Sequence, residues 1–218
     1  MVDNDYIWYV CYGSNVNVER FYCYIHGGAW KYNNRNHYGS KIKENPIQQS
    51  TLEIPFELYF SKSAKSWENK GVAFLKSSKN NTIKTKCVAY LIRKEQFFDI
   101  LLQENSRNPF DENEPGDFSM ILQNQEYFLG PKNENLWYGR IINLGEFKGY
   151  SAFTFTAKWS DETIEYALPG EKYLKTIIKG IQSNFNITTD EIAGYFAGLA
   201  GIKGNLNEHE IKFIINSL

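Results

Sequence analysis

Apolar and polar positions change their spacing several times along the chain, and each change predicts a new element. An unbroken apolar run over residues 6–12 predicts a short buried strand, and apolar side chains at helical spacing over residues 17–25 predict a helix directly after it. Strict alternation over residues 51–60 predicts a second strand, in which Pro55 marks an edge or a bulge. The shared apolar face of that strand comprises Leu52, Ile54, Phe56, Leu58 and Phe60.

The rest of the chain continues as strands, one central helix, more strands and then helices. Two strands are expected at 71–75 and 85–92, around an Asn80-Asn81 turn, and the period becomes helical over 94–105. The later elements are strands at about 119–128, 136–144 and 150–159, and helices at 170–184, from residue 188 and at 206–217. Thr188 and Glu191 form a capping box, which fixes the start of the second of these helices.

This order of elements predicts an α+β fold, in which helices flank a curved mixed sheet or a small barrel. The chain has 218 residues, enough for one substantial core, and we expect a single domain over residues 1–218. Two segments, 26–50 and 106–118, are polar and loop-like. Loops of that length often carry function.

Composition and charge argue against several classes of binding partner. Lys and Arg number 24 and Asp and Glu 25, for a net charge of −1, so no basic field would attract nucleic acid. No apolar run approaches the ~20 residues of a membrane helix, and the first residues do not resemble a signal peptide. The three cysteines are widely spaced and odd in number, which favours a reducing compartment. We therefore expect a cytoplasmic protein, as a monomer or a homodimer, with no membrane or nucleic-acid partner.

The first candidate site is the turn that ends the first strand. The apolar run stops at once in Gly13, Ser14 and Asn15. An ordinary turn would explain this, with Ser14 or Asn15 capping the following helix. The alternative is a cradle of backbone N–H groups that binds a carboxylate or an oxyanion at the strand-to-helix junction. The segment lacks the remaining residues of a P-loop or of a dinucleotide fingerprint.

The second candidate is a carboxylate at the end of the central helix. Phe97, Leu101 and Glu104 follow one another at helical spacing, so an acidic group extends an apolar stripe. Burial and the negative end of the helix dipole would both favour the protonated form, which suits a group that transfers protons near neutral pH. The simpler interpretation is that Glu104 lies on the solvated rim of the helix.

In this order the motifs resemble those of the gamma-glutamylcyclotransferase-like superfamily. The letters "YGSN" (residues 12–15) resemble its signature, and "CVAYLIRKEQFFDILLQEN" (87–105) resembles the strand and helix that end in the family's catalytic glutamate, at Glu104. "GVAFL" (71–75) and "PGEKYLKTIIKGI" (169–181) resemble two further segments. The resemblance covers roughly residues 7 to 200.

The resemblance implies that this enzyme class cleaves a γ-glutamyl amide without a cofactor or metal, yielding 5-oxoproline and a free amine. Glu104 would be the general acid and base, and the N–H groups of Gly13, Ser14 and Asn15 would hold the glutamyl carboxylate or the developing oxyanion. Tyr12 and Tyr173 would line the pocket. Tyr173 also belongs to a plain core stripe with Ile177 and Ile181.

The chain departs from the commonest family pattern at two positions: Asn105 stands where many members have Gly, and Cys11 where Ala is common. The loops 26–50 and 106–118 also look enlarged, so the amine half of the substrate stays open. A rival from another class is a catalytically silent module that binds a small ligand on the same scaffold, with contacts from residues 26–41.

Two other kinds of site have weak support. A cysteine or serine hydrolase would use Cys11 or Ser14 with a histidine base, and the three histidines have no recognisable spacing for it. A metal site is weak as well, because the acidic segment 111–117 lacks the spacing of a calcium loop.

Overall fold

The structure is a computed structural model that describes residues 5–33, 35–114, 126–129 and 136–218. Its strands are β1 (Tyr6–Cys11), β2 (Gly28–Ala29), β3 (Asn36–His37), β4 (Gln48–Ile54), β5 (Phe56–Ala64), β6 (Lys70–Lys79), β7 (Thr85–Arg93), β8 (Glu126–Phe128), β9 (Arg140–Phe147) and β10 (Tyr150–Thr156). Its α-helices are α1 (Val18–His26), α2 (Lys94–Glu104), α3 (Glu171–Asn184), α4 (Thr189–Ala197) and α5 (Glu208–Asn216). Three short 3-10 turns cover Ser14–Val16, Lys65–Trp67 and Asp161–Thr163.

One mixed sheet of six strands organises the fold, in the order β4-β7-β1-β10-β9-β8. β1 pairs parallel with β10 and antiparallel with β7, and the remaining neighbours are antiparallel. β5 and β6 form a separate two-stranded ribbon. The predicted α+β class and mixed sheet are therefore confirmed, whereas the strands in the described residues do not close into the small barrel that was the other expectation.

The strand expected over residues 51–60 is in fact two strands. β4 ends at Ile54 and β5 begins at Phe56, and these two strands belong to different sheets. Pro55 lies at the break, because proline cannot donate the hydrogen bond that a continuous ladder needs. Ile54, Phe56, Leu58 and Phe60 of the predicted face are buried on both sides of the break, whereas Leu52 is half-buried. Burial does not alternate in the middle of β5, because Tyr59 is buried as well.

Other boundaries differ by a few residues or fall outside the described part. The strand expected at 136–144 begins only at Arg140, after a turn, and continues to Phe147. Residues 119–125 of the strand expected at 119–128, and residues 115–118 of the expected acidic loop, lie outside the described residues. The loop expected at 26–50 contains the short β2–β3 pair and the start of β4.

The centre of the sheet is also the centre of the core. Trp8, Tyr9 and Val10 of β1 are buried, and α2 packs on β1 and β7. α3 packs against the Ser14–Val16 turn and against α5. The turn that ends β1 is thus enclosed by elements from both halves of the chain. None of the helices in the described ranges has the length and apolar character that a membrane crossing requires.

Candidate functional site

A cavity of ≈ 440 Å³ opens where β1 ends. The turn of residues 12–15, Glu104 at the end of α2, and Tyr173 on α3 all line it, although they are far apart in the sequence. β1 is the central strand that positions this turn, and α2 follows the neighbouring strand β7 directly. The structure therefore brings every residue of the predicted site to one concave surface.

The side chain of Asn15 joins the turn to Glu104. Its Nδ2 donates to Glu104 Oε1 at 3.0 Å and to the hydroxyl of Tyr9 at 3.1 Å, and its main-chain oxygen accepts from the hydroxyl of Tyr90 at 3.0 Å. Asn15 is buried, and Glu104 is half-buried. Glu104 thus lies within hydrogen-bond distance of the turn, and Asn15 contributes through its amide side chain, which the sequence analysis did not foresee.

The capping explanation of the turn named the wrong residues. Neither Ser14 nor Asn15 caps α1, because Asn17 is the N-cap and its side chain accepts from the N–H of Arg20 at 3.3 Å. A separate, steric constraint favours glycine at position 13. A Cβ at that position would lie 3.1 Å from the Tyr173 hydroxyl oxygen, so a larger residue would crowd the cavity wall.

Tyr12 and Tyr173 are both buried and both present phenol groups at the cavity. The Tyr12 hydroxyl donates to the main-chain oxygen of Phe155 at 2.8 Å, and the Tyr173 hydroxyl accepts from the N–H of Ala73 at 3.1 Å. Burial raises the pKa of each phenol above its ordinary value. Both therefore remain neutral near pH 7 and act as hydrogen-bonding walls. The core stripe predicted for Tyr173 also exists, since Ile177 and Ile181 are buried beside it.

Arg20 is a site residue that the sequence analysis missed. It is 1% exposed, yet it lines the cavity. Its Nη2 donates to the Tyr24 hydroxyl at 3.0 Å, its Nη1 contacts His37 Nε2, and its buried Nε has no partner among the described residues. The available signal was the spacing: Arg20 lies four residues before Tyr24, so both occupy one face of α1.

His37 and Tyr24, the two partners of this guanidinium, are held neutral mainly by burial. Burial, followed by the charges of Arg20 and Arg35, lowers the pKa of His37 to about 2, so the ring is neutral and its Nε2 accepts from Arg20. A guanidinium only donates, so the Tyr24 oxygen accepts and its proton is free to point elsewhere. Burial raises the pKa of Tyr24, and the charge of Glu104 contributes in the same direction.

Asn105 fixes the opposite wall of the cavity. Its Oδ1 accepts from the N–H of Tyr138 at 3.0 Å, and its Nδ2 donates to the Tyr138 main-chain oxygen at 3.1 Å and to that of Leu101 at 3.0 Å. Tyr138 stacks on Phe74 at 5.0 Å and its hydroxyl donates to the oxygen of Ala73 at 3.2 Å. A Gly at position 105 would make none of these side-chain bonds, so this departure from the family pattern builds part of the wall.

The weaker candidates of the sequence analysis gain no support from their positions, although Cys11, Ser14 and Arg35 line the cavity. The Cys11 thiol is buried and donates to the oxygen of Val88 at 3.1 Å, and burial raises its pKa well above the ordinary value, which disfavours a thiolate. In the segment 26–41, Arg35 lines the cavity, whereas Trp30 is buried apart from it. No group of three or more His, Cys, Asp or Glu side chains in the described residues is placed to hold a metal ion.

Comparison with solved structures identifies the architecture. A gamma-glutamyl cyclotransferase superposes with a TM-score of 0.52 at 14% identity, covering 98% of this chain and 99% of that one. The chain has the gamma-glutamyl cyclotransferase fold. An uncharacterized protein from Homo sapiens has the same fold, with a TM-score of 0.51 at 14% identity over 97% of this chain and 99% of that one. At these identities the likeness concerns the fold.

Sequence comparison gives a different kind of relative. No family model matches the chain. Histone deacetylase 5 of Arabidopsis thaliana is 30% identical in an alignment of 199 residues that covers 87% of this chain and 30% of that protein. The chain therefore spans about a third of the length of this relative. The name of the relative refers to the whole of that longer protein.

Proposed function

We propose that the chain is a cofactor-independent gamma-glutamylcyclotransferase-like enzyme. The observation that carries the proposal is the position of Glu104, whose Oε1 lies 3.0 Å from the Asn15 side chain in the cavity beside the turn of residues 12–15. The shared fold supports the same conclusion. A carboxylate beside a turn whose residues line the same cavity can supply the proton transfer and the backbone donors that an internal acyl transfer uses.

The proposed reaction needs no water and no second substrate. The α-amino nitrogen of the γ-glutamyl group attacks its own γ-carbonyl carbon, and a C–N bond forms that closes the five-membered ring. The amide C–N bond to the amine half then breaks. Glu104 takes the proton that the α-ammonium group loses before the attack and gives it to the departing nitrogen. The second proton, which the ring nitrogen loses after the C–N bond has formed, goes to the released amine, so the products are 5-oxoproline and the amine in its ammonium form. The cavity contributes by holding the chain folded back on itself.

The remaining residues of the site have separate roles in this proposal. The N–H groups of Gly13, Ser14 and Asn15 hold the glutamyl carboxylate or the oxyanion that develops at the γ-carbonyl. Tyr12 and Tyr173 form a neutral, hydrogen-bonding wall. The Asn15 side chain holds the Glu104 carboxylate in a fixed direction, which is a condition for efficient proton transfer.

A second candidate is a silent ligand-binding module on the same scaffold. One finding favours it: the similar segment in the Arabidopsis thaliana protein is part of a chain whose name refers to another activity. In that case the cavity would bind a small γ-glutamyl-like ligand without turning it over. Binding without product would distinguish this function from the enzyme.

The test is to incubate the protein with a panel of γ-glutamyl amides and to measure 5-oxoproline by mass spectrometry. The panel contains glutathione, γ-glutamyl-alanine and the ε-lysine isopeptide. We expect at least one member to react, and Glu104→Gln to abolish the reaction. Glu95→Gln is the matched control, because Glu95 is exposed in the first turn of the same helix. Absence of 5-oxoproline from every member, with a ligand still bound in the cavity, would favour the silent module.

A further inference from the structure

A row of buried polar side chains runs along α2, beside the segment 35–44. Gln96, Asp99 and Gln103 are 1%, 4% and 1% exposed, and their positions three and then four residues apart place them on one face of the helix. Buried polar groups are costly unless they form hydrogen bonds, so each of the three side chains requires a partner. Residues 38–44 belong to no helix or strand, so the main chain there requires partners as well.

The row on α2 and the main chain of the segment 35–44 satisfy each other. The hydrogen bonds are those that Gln96 Nε2 donates to the oxygens of Ile42 (3.1 Å) and Glu44 (2.8 Å), that Asp99 Oδ2 accepts from the N–H of Lys41 (2.7 Å), and that Gln103 Oε1 accepts from the N–H of Gly39 (3.1 Å). Residue numbers along the segment fall as those along the helix rise. The segment therefore runs antiparallel to α2 and is held along most of the length of the helix.

Arg35, at the start of the segment, lies at the carboxyl end of α2. Its Nη2 donates to the main-chain oxygen of Gln103 at 2.7 Å and to Ser106 Oγ at 3.4 Å. A guanidinium is favourable there, because the last carbonyls of a helix lack partners within it and form the negative end of its dipole. Gln103 is therefore held twice, through its side chain by the N–H of Gly39 and through its main-chain oxygen by Arg35.

We propose that Gln103 and Arg35 are positioning residues for Glu104, because they fix the last turn of the helix that carries it. This inference rests on the proposed function, in which Glu104 carries the proton. The carbonyl that Arg35 binds belongs to the peptide bond between Gln103 and Glu104, so a shift of that peptide moves the carboxylate away from the Asn15 side chain, 3.0 Å from it. Gln103 is not among the described residues that line the cavity, so it acts through Glu104 and not on the substrate.

The two glutamines of the row provide a matched pair for the test. Gln103 and Gln96 are each 1% exposed, and the side chain of each makes three hydrogen bonds that a methionine of similar length would lose. Gln103→Met should lower kcat by about 10- to 100-fold at nearly constant KM, since a misplacement of ~1 Å at a reacting group costs about that much. Gln96→Met, at the far end of the row from Glu104, should lose similar stability in denaturant and keep the wild-type kcat. An equal loss of kcat in both variants, or none in Gln103→Met, would overturn the inference.

Arg35 provides a second set of variants, which leaves the buried row intact. Arg35→Met removes the donor to Gln103 and should lower kcat, whereas Arg35→Lys keeps a donor and should restore part of it. The control is Arg107→Met, because Arg107 is a half-buried arginine just after the same helix whose side chain binds Glu114 outside the cavity. Its kcat should match the wild type. A rise in KM at constant kcat in Arg35→Met would show that Arg35 contacts the substrate, and its positioning role would be wrong.

An NMR measurement separates this inference from the proposed function. The side-chain amide signals of Asn15 report its contact with Glu104 without any turnover, and Glu104→Ala shows how they move when that contact is lost. We expect Gln103→Met and Arg35→Met to move these signals in the same direction, and Gln96→Met to leave them in place. That result would support the inference even if the wild type makes no 5-oxoproline. Unmoved signals in both variants would overturn the inference and leave a cyclotransferase activity of the wild type intact.

Discussion

The C-terminal helices and the cavity are built in opposite ways. α4 and α5 each begin with a capping box, formed by Thr188 with Glu191 and by Asn207 with Glu210, so residues three apart define each start. The cavity instead joins Asn15 to Glu104 across 89 positions of sequence. Local rules therefore specify the helices, whereas tertiary packing specifies the site.

This difference has an energetic consequence. A change at an exposed position or at the capping box of α4 or α5 should alter stability by the local amount and leave the site alone, because the two partners of each box lie three residues apart. A change beneath the cavity should alter stability and activity together, since its hydrogen bonds form one connected network. Paired substitutions of the same chemical type in the two regions can test this contrast.

The largest contrast is expected from two helical glycines. A Cβ on Gly180 of α3 would lie 2.6 Å from the main-chain nitrogen of Asn17, beneath the turn, whereas the nearest atom to a Cβ on Gly194 of α4 is 3.7 Å away. Gly180→Ala should therefore cost about 3 kcal/mol of stability and reduce activity, because backbone must move. Gly194→Ala should stabilise by roughly 0.5–1 kcal/mol, through helix propensity, at unchanged activity.

Chemical denaturation and initial rates of 5-oxoproline formation measure both effects. If Gly180→Ala proved as stable and as active as Gly194→Ala, the close packing of α3 on the turn would be wrong.

Asn105→Gly should have an intermediate effect confined to the cavity. The variant loses three side-chain hydrogen bonds, two of them to the backbone of Tyr138, and should lose roughly 2 kcal/mol of stability. Because Tyr138 forms a wall and not the reacting group, KM should rise more than kcat falls. Steady-state kinetics decide this, with Asn205→Gly as the control since Asn205 makes one such bond, to Gly201, away from the cavity. A loss of kcat at constant KM would contradict the assigned role.

The smallest effect, and the most specific, concerns pH. Burial lowers the pKa of His37 to about 2, so the folded state resists a proton that the unfolded chain accepts near pH 6.5, and stability falls as pH falls below that value. Burial raises the pKa of Asp99 to about 6, so between about pH 4 and 6 the folded state binds the extra proton and stability rises as pH falls. The two contributions oppose each other in that window.

Removing one of these two titratable groups should therefore expose the pH dependence of stability that the other group contributes. His37→Gln should become more stable on acidification from pH 6 to 4, and Asp99→Asn less stable, each by at most about 1.4 kcal/mol per pH unit. Denaturant titrations at several pH values provide the measurement. The glutamine can still accept from Arg20, and the asparagine can still accept the 2.7 Å bond from the N–H of Lys41. Identical pH profiles for both variants and the wild type would contradict this account.

The contrast between local interactions and long-range packing also explains which parts of the structure the sequence could predict. All five described helices begin within two residues of their expected positions, because capping residues and periodicity act over a few residues. The break at Pro55 was visible as a proline, but its meaning was not, since the exchange of β5 into a second sheet depends on pairing with β6. Strand order is long-range information that a single sequence does not display.

The residues of the site that belong to a short sequence motif were predictable. The residues that tertiary packing brings to the cavity were not. The residues of the turn and Glu104 were placed from short sequence signals, and the structure brings them together. Arg20 was missed, and Arg35 was included only as part of the segment 26–41 in the ligand-binding alternative, because a charged residue on a helix or in a polar loop is usually solvated. Only the folded chain shows that one is buried and that both face the same cavity.

The most direct test of the central claim is the rate of 5-oxoproline formation by the wild type and by Glu104→Gln, measured side by side on γ-glutamyl-alanine. The glutamine keeps the shape and can still accept from Asn15, but it cannot carry the proton. We predict a loss of about 10²–10⁴-fold in kcat for this variant, with Glu95→Gln unchanged and with stability close to the wild type. Equal rates for the wild type and Glu104→Gln would contradict the assignment of Glu104 as the general acid and base.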